Sequence, residues 1–361
     1  MRESSVVVRP VPESSSEYRA STRLEAAGLR RGMRRFETAA AAVPLPAPPQ
    51  PVIIADYGAA TGHNSLLPIG SAIEVLRTRI RPEHSVFVAH TDLPDNDFTA
   101  LFRTLGDDPD TYLKRFDGVF AAAVGRSFYQ QILPSNSVTL GWSSWAVQWL
   151  RKVPSPVPDH IVAACSADER VRAAYARQGA QDWHDFVAFR GRELAPGGRV
   201  VVLTMALDEN GDLGHRGVLD ALRDALTELR ADGLLGDDEL HRMGLPIVGR
   251  SRADLVAPFA PSGRLERVEI EELEVFDAED RYYAQYRADG DARAFGAKWA
   301  AFCRAAVFPA LVTALDGTDP RLFCDRLEAA VAARLAAAPQ PARIPMAQVV
   351  LVKRAAGGSG Q

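Results

Sequence analysis

Residues 53–66 read IIADYGAATGHNSL, and the fold class turns on how this stretch is read. A short apolar run ends in an acid, Asp56. Gly58 and Gly62 follow in a turn, and LLPIGSAIEVLRTRI then continues as a helix. Strand, glycine turn and helix in that order form the opening unit of an α/β fold. Glycines at such a turn let the backbone approach a ligand closely, and the helix N-terminus favours a negative group such as a carboxylate. The spacing D-x-G-x-x-x-G departs from the G-x-G-x-x-G of dinucleotide sites, which weighs against a nicotinamide-dependent oxidoreductase.

Downstream the same alternation continues. SVFVAHTDL (85–93) is a second strand, FDGVFAAAV (116–124) and SVTLGW (137–142) are two more, and GGRVVVLTMA (197–206) is a fifth. Strands alternating with helices imply a mainly parallel sheet covered on both faces. Upstream, residues 1–17 are rich in Ser, Pro and Glu and read as a mobile arm. A helix over 18–42 places Leu24, Leu29, Met33 and Phe36 roughly on one face, and PLPAPPQP (44–51) stops it. Residues 207–340 read as amphipathic helices forming a cap, and 341–354 return to strand character. The expected organisation is thus an arm (1–17), an α/β domain (18–206), a helical cap (207–340), a last strand (341–354) and a tail (355–361).

Bulk properties exclude several function classes. The chain has 361 residues, 47% hydrophobic and 24% charged, with a formal net charge of -4. A general nucleic-acid binder needs an excess of clustered Lys and Arg. The densest basic run, LRRGMRR (29–35), reads as a solvated helix face. Cys165, Cys303 and Cys324 lie far apart and form neither a CxxC pair nor a disulfide framework, and no histidine pair has metal-ligand spacing. No apolar window is long enough to span a membrane, and VVV (6–8) is interrupted by Arg9-Pro10. A cytoplasmic protein without a metal is the natural expectation.

Two features carry chemistry. Asp92 stands at the end of the second strand, where a carboxylate can grip a ribose diol or merely cap the turn at Pro94. GWSSWAVQWL (141–150) concentrates three of the five tryptophans, Trp142, Trp145 and Trp149, in eight residues. Trp142, at a strand end, reads as core. Trp145 and Trp149, four apart, share one face if the segment is helical.

These strings, taken together, resemble the SABATH family of S-adenosylmethionine (SAM)-dependent carboxyl and N-methyltransferases. IADYGAATGHNSL (54–66), VFVAHTDLPDNDFTALFRTL (86–105), GRSFYQQILPSNSVTLGWSSWAVQWLRKVP (125–154) and RELAPGGRVVVLT (192–204) match it in order and spacing, and CRAAVFPAL (303–311) extends the likeness. The resemblance implies a class I SAM-methyltransferase fold, a Rossmann-like α/β sheet with an α-helical cap, and SAM as the cofactor. It implies that Asp92 holds the ribose, with Leu93 against the adenine, and that Ser127 and Phe128 bound the adenine. Asp56, Gly58 and Asn64 would surround the methionine end, with Tyr18 and Thr22 reaching in from the first helix. For the substrate it implies Trp149, Trp145 and Gln148, with Leu219, Val248, Cys303 and Ala306 on the cap side. The small Cys303 and Ala306 suggest a roomy pocket.

Two departures stand out. Glu25 occupies the place of a family glutamine that binds the substrate carboxylate, and two facing carboxylates repel. His63 replaces a proline and reads as structural. The resemblance implies methyl-ester formation on a small, aromatic acid, with N- or other O-methylation as the alternative, and a non-catalytic binder remains a third reading. It also implies a homodimer, and the Ala/Arg/Pro-heavy composition suggests a bacterial member. No nucleic-acid or membrane partner is expected.

Overall fold

The computed structural model describes residues 16–355, with the backbone alone over 16–27. Nearly all of the expected arm and tail therefore lies outside the described residues. The strands are β1 (Val52–Tyr57), β2 (Val86–Asp92), β3 (Val119–Gly125), β4 (Val138–Ser144), β5 (Leu194–Met205), β6 (Val268–Asp277) and β7 (Pro345–Lys353). The helices are α1 (Ser16–Ala42), α2 (Leu66–Arg77), α3 (Phe98–Asp107), α4 (Tyr112–Arg115), α5 (Glu169–Glu193), α6 (Arg216–Ala231), α7 (Asp237–Arg242), α8 (Arg252–Val256), α9 (Arg281–Asp289), α10 (Ala292–Ala306), α11 (Phe308–Val312) and α12 (Pro320–Ala337).

The strands form a seven-stranded sheet in the order β3-β2-β1-β4-β5-β7-β6. β1 to β5 pair in parallel, while β7 runs antiparallel to both β5 and β6. Central strands are apolar along their length because both faces are covered. Phe36 of α1, Ile69 and Ile73 of α2, Leu140 and Trp142 make one buried layer. Trp183, Phe186 and Val187 of α5 pack with Tyr57, Val200 and Val202 on the other. α1 lies close to the sheet because it offers glycines there. A Cβ on Gly32 would stand 2.9 Å from Trp142 Cη2, and one on Gly28 2.7 Å from Met346 Sδ.

Trp142 is core, as read from its place on β4. It is fully buried, and its ring lies 5.0 Å from that of Phe36. The basic run is a solvated helix face as expected, with Arg30 and Arg34 exposed and Arg31 and Arg35 each 41% exposed. Arg31 and Arg35 pair with Glu274 and Glu272, and Arg31 also covers the Phe276 ring at 4.4 Å.

The expected helical cap is interrupted by β6, which was not among the expected strands. Its sequence, VEIEELEVFD, carries Glu at 269, 271, 272 and 274, and a register shift falls between Ile270 and Glu272. Glutamate disfavours strands and the bulge breaks the alternation, so the sequence reads as a charged helix. At a sheet edge the glutamates instead reach outward to arginines. The helical remainder packs α6, α10 and α12 around Leu222, Trp299, Phe323 and Leu327.

The strand order turns back between β1 and β4. A ligand crevice opens at such a switch point, beyond the carboxyl ends of the strands. The loops after β1, β2, β3 and β4 therefore define where the site must lie.

Candidate active site

Gly58 begins the turn after β1 with φ +86°, a conformation that favours glycine. Its amide donates to the Thr91 carbonyl at 2.9 Å, tying the turn to β2. A Cβ here would stand 2.3 Å from Ala146 Cβ and 3.5 Å from Phe128 Cε1. The turns after β1 and β4 and the loop after β3 thus meet at Gly58.

On one side of Gly58 lie Asp92, Leu93, Ser127 and Phe128. The Asp92 carboxylate accepts the Ala60 and Leu93 amides, both at 2.7 Å, one on each oxygen. Burial raises its pKa above the usual carboxylate range, and those two amides oppose the rise. Each oxygen keeps a lone pair for a further donor. Phe128 is half-buried, its ring 4.7 Å from that of Tyr129 and 6.0 Å from that of Phe186. Ser127 Oγ accepts the Tyr129 amide at 3.3 Å.

On the other side is a cavity of about 200 Å³. Gly58 and Asn64 line it together with Trp145, Gln148, Trp149, Leu219, Cys303 and Ala306. The structure thus brings these expected residues to one place, but the local geometry differs from the expected helix. Trp145 has φ +55°, an outlier for a bulky residue. Its amide donates to Leu203 O at 2.9 Å, and Gln148 Nε2 donates to its carbonyl at 2.6 Å. Trp149 lies beyond a turn and forms an isolated bridge with Ile247. The two indoles reach one cavity through a left-handed kink, which no helical spacing encodes.

Gln148 is occupied as well: Thr204 Oγ1 donates to its carbonyl at 3.2 Å. Its amide therefore braces the kink, leaving one N–H for a ligand. The Trp145 Nε1 is buried without a hydrogen-bond partner among the described residues. A buried indole N–H left unpaired costs about 1–3 kcal/mol.

Other expected residues are placed elsewhere. Val248 does not line this cavity. The chain at 245–250 is extended, bridging Val162, Trp149 and Ala206, so its side chains alternate. Leu245 and Ile247 face the cavity, whereas Val248 packs on Gly179 of α5, where a Cβ would stand 3.0 Å from its Cγ2. The expectation was off by one residue of register. Asp56 sits at the end of β1, buried, and its Oδ2 is 2.8 Å from His90 Nδ1. It does not line the cavity. His63 faces Asp108, with Nδ1 3.5 Å from Oδ2, in keeping with a structural role. The side chains of Tyr18, Thr22 and Glu25 lie outside the described residues.

Sequence reasoning missed His215, which lines the same cavity. It stands alone in the loop GDLGHRG, with no neighbour or spacing to mark it.

A family model described as SAM-dependent carboxyl methyltransferase matches residues 12–354. The chain belongs to that family. Among relatives of these methyltransferases, salicylate carboxymethyltransferase of Clarkia breweri is 29% identical over 251 residues, 66% of each chain. Loganic acid O-methyltransferase of Catharanthus roseus is 30% identical over 229 residues, 59% of each chain. A benzoic acid/salicylic acid carboxyl methyltransferase of Petunia hybrida is 30% identical over 222 residues, 57% of this chain and 62% of its own. The matched stretches thus span at most about two thirds of these relatives. A solved loganic acid methyltransferase with SAH shares the fold, with a TM-score of 0.76 at 21% identity, covering 96% of this chain and 99% of that one. The class I methyltransferase fold and the SAM dependence of the family follow from these likenesses.

The residues around Gly58 fit SAM. The left-handed glycine lets the turn after β1 pack directly on Ala146, and Asp92 offers two acceptor oxygens at the end of β2. Phe128 supplies a half-buried ring beside them.

Proposed function

We propose that this protein transfers a methyl group from SAM to the carboxylate of a small, aromatic acid, giving a methyl ester. One observation carries the reading: the Gly58–Asn64 turn and the Trp145–Trp149 segment wall the same cavity. Asp92 would hold the ribose diol, Leu93, Ser127 and Phe128 the adenine, and Gly58 and Asn64 the methionine end. SAM, when bound, supplies a methyl group activated by its sulfonium. Trp145 and Trp149 supply an apolar clamp whose indole N–H donors suit a carboxylate.

A carboxyl group of pKa ~4 is already ionised at neutral pH, so the protein needs to supply no base. Its task is alignment, which can lower a barrier by roughly 7–11 kcal/mol. The cavity, at about 200 Å³, exceeds the ~150 Å³ apolar cavity that takes up benzene. We further take the enzyme to be cytoplasmic, a homodimer as the family resemblance suggests, and a bacterial member of its family, in keeping with its Ala/Arg/Pro-heavy composition.

The test uses SAM labelled in its methyl group, a panel of aromatic acids and N-heterocycles, and alkaline treatment of the extracted product. Label released as methanol establishes an ester. Alkali-stable label overturns the ester and points to N- or ether O-methylation. SAM binding without transfer to any acceptor favours the silent binder.

A further inference from the structure

The wall of the cavity contributed by α6 and α10 is apolar, with Val218, Leu219, Leu222, Phe302 and Ala306 facing inward. His215, one residue before α6, interrupts it. The residue is 5% exposed and lines the cavity, and its Nδ1 has no hydrogen-bond partner among the described residues. Imidazole nitrogens left unpaired in such a place are destabilising.

The backbone fixes where this ring stands. His215 has φ +55° and follows Gly214, which is also left-handed at +74°. Its amide donates to the Arg343 carbonyl at 2.9 Å, and its own carbonyl accepts the Val218 and Leu219 amides, both at 2.9 Å. The ring meets Trp299 at 90°, with centroids 6.1 Å apart. A left-handed non-glycine residue costs about 1–2 kcal/mol, and glycine or asparagine would hold this turn more cheaply. The turn alone does not call for an imidazole.

We propose that His215 is a specificity-determining residue that hydrogen-bonds a second polar substituent of the acceptor acid, remote from the carboxylate held at the tryptophans. The preferred substrates are then acids carrying a hydroxyl group as well as the carboxylate. This rests on the carboxyl-methyltransferase reading above. Burial pushes the ring's pKa down to about 4, although the Leu213 carbonyl opposes the shift. The imidazole is therefore neutral at pH 7, and with its N–H turned to the Leu213 carbonyl the other nitrogen is left to accept from a hydroxyl. It is also far too weak a base to deprotonate a phenol of pKa near ~10, which leaves recognition as its role.

The test compares wild type with His215→Asn, which tolerates the left-handed turn but shortens the reach. Both are assayed on benzoate and on a matched series of ring-hydroxylated acids, with the KM for SAM as a control. The expected result is a tenfold or greater fall in kcat/KM for some substituted acids, carried mainly by KM. Benzoate and SAM should change less than threefold, because neither presents a group to the imidazole. The loss for substituted acids falls on KM because remote binding is lost equally in ground and transition states. A parallel fall for benzoate and every substituted acid, or no change for any of them, overturns the proposal. Methylation of none of the acids by the wild type, with SAM still bound, overturns the underlying reading instead.

Discussion

The ring of His215 is packed at right angles to Trp299, so protonating it would place a cation among apolar side chains. Its pKa lies at about 4 in the folded protein, against about 6.5 when unfolded. Between these values the unfolded chain binds the proton and the folded one does not, so stability falls as pH drops through this window. The full shift corresponds to about 3 kcal/mol, lost between pH 6.5 and 4 and constant above and below. Urea unfolding of wild type and His215→Asn from pH 7.5 to 4 isolates this group from the carboxylates. The difference in stability between the two proteins should shift by that amount in favour of the variant on acidification. A pH-independent difference would mean that the ring is not held neutral.

Segment 126–133 leaves β3 and carries Ser127 and Phe128, yet a buried ion pair ties it down. Arg190 donates to the carbonyls of Phe128 at 2.6 Å and Gln130 at 2.9 Å. Glu193 receives Arg190 Nε at 3.0 Å, the Tyr57 hydroxyl at 2.8 Å and the Ile132 and Leu133 amides at 2.5 and 3.1 Å. Both side chains are fully buried at the end of α5. Removing one partner of such a pair typically costs ~3–5 kcal/mol, because the other is left as an uncompensated charge. Arg190→Met should lower stability by about that amount and raise the KM for SAM, since the loop beside Gly58 loses its anchor. Denaturant unfolding and SAM titration measure the two effects separately. The loop was legible as a string, GRSFYQQIL, through its resemblance to a family. Its anchor was not, because Arg190 and Glu193 lie 60 or so residues away along the chain.

SAM would contact loops from β1, β2 and β3 at once, so binding links the whole parallel half of the sheet. A ligand that binds the folded state alone stabilises it by about 2.7 kcal/mol at a hundredfold excess over its dissociation constant. Thermal unfolding with SAM should therefore show a rise of several degrees. Gly58→Ala should lose most of that rise at the same SAM concentration, because the added methyl collides with Ala146 at a left-handed position. An undiminished rise in the variant would remove Gly58 from the cofactor site.

The chain's own pattern determined the parallel strands, the glycine turn at Gly58 and the carboxylate at Asp92, because these depend on neighbours a few residues apart. Apolar runs bounded by turns declare buried strands, and an acid at a strand end stays at that end whatever surrounds it. Trp145 and Trp149 were legible as a pair, but not the kink that aims them, since a left-handed bulky residue is held by Leu203 and Gln148 rather than by local preference. Only the tertiary structure decided that β6 is an edge strand, where distant arginines from α1, β5 and the end of β7 answer its glutamates. It also decided that Ile247 rather than Val248 faces the cavity, and that His215 stands in its wall. Extended segments paired by single bridges expose alternate side chains, and which set points inward is settled by the partner strand. That partner is remote in sequence, so the choice is made by packing.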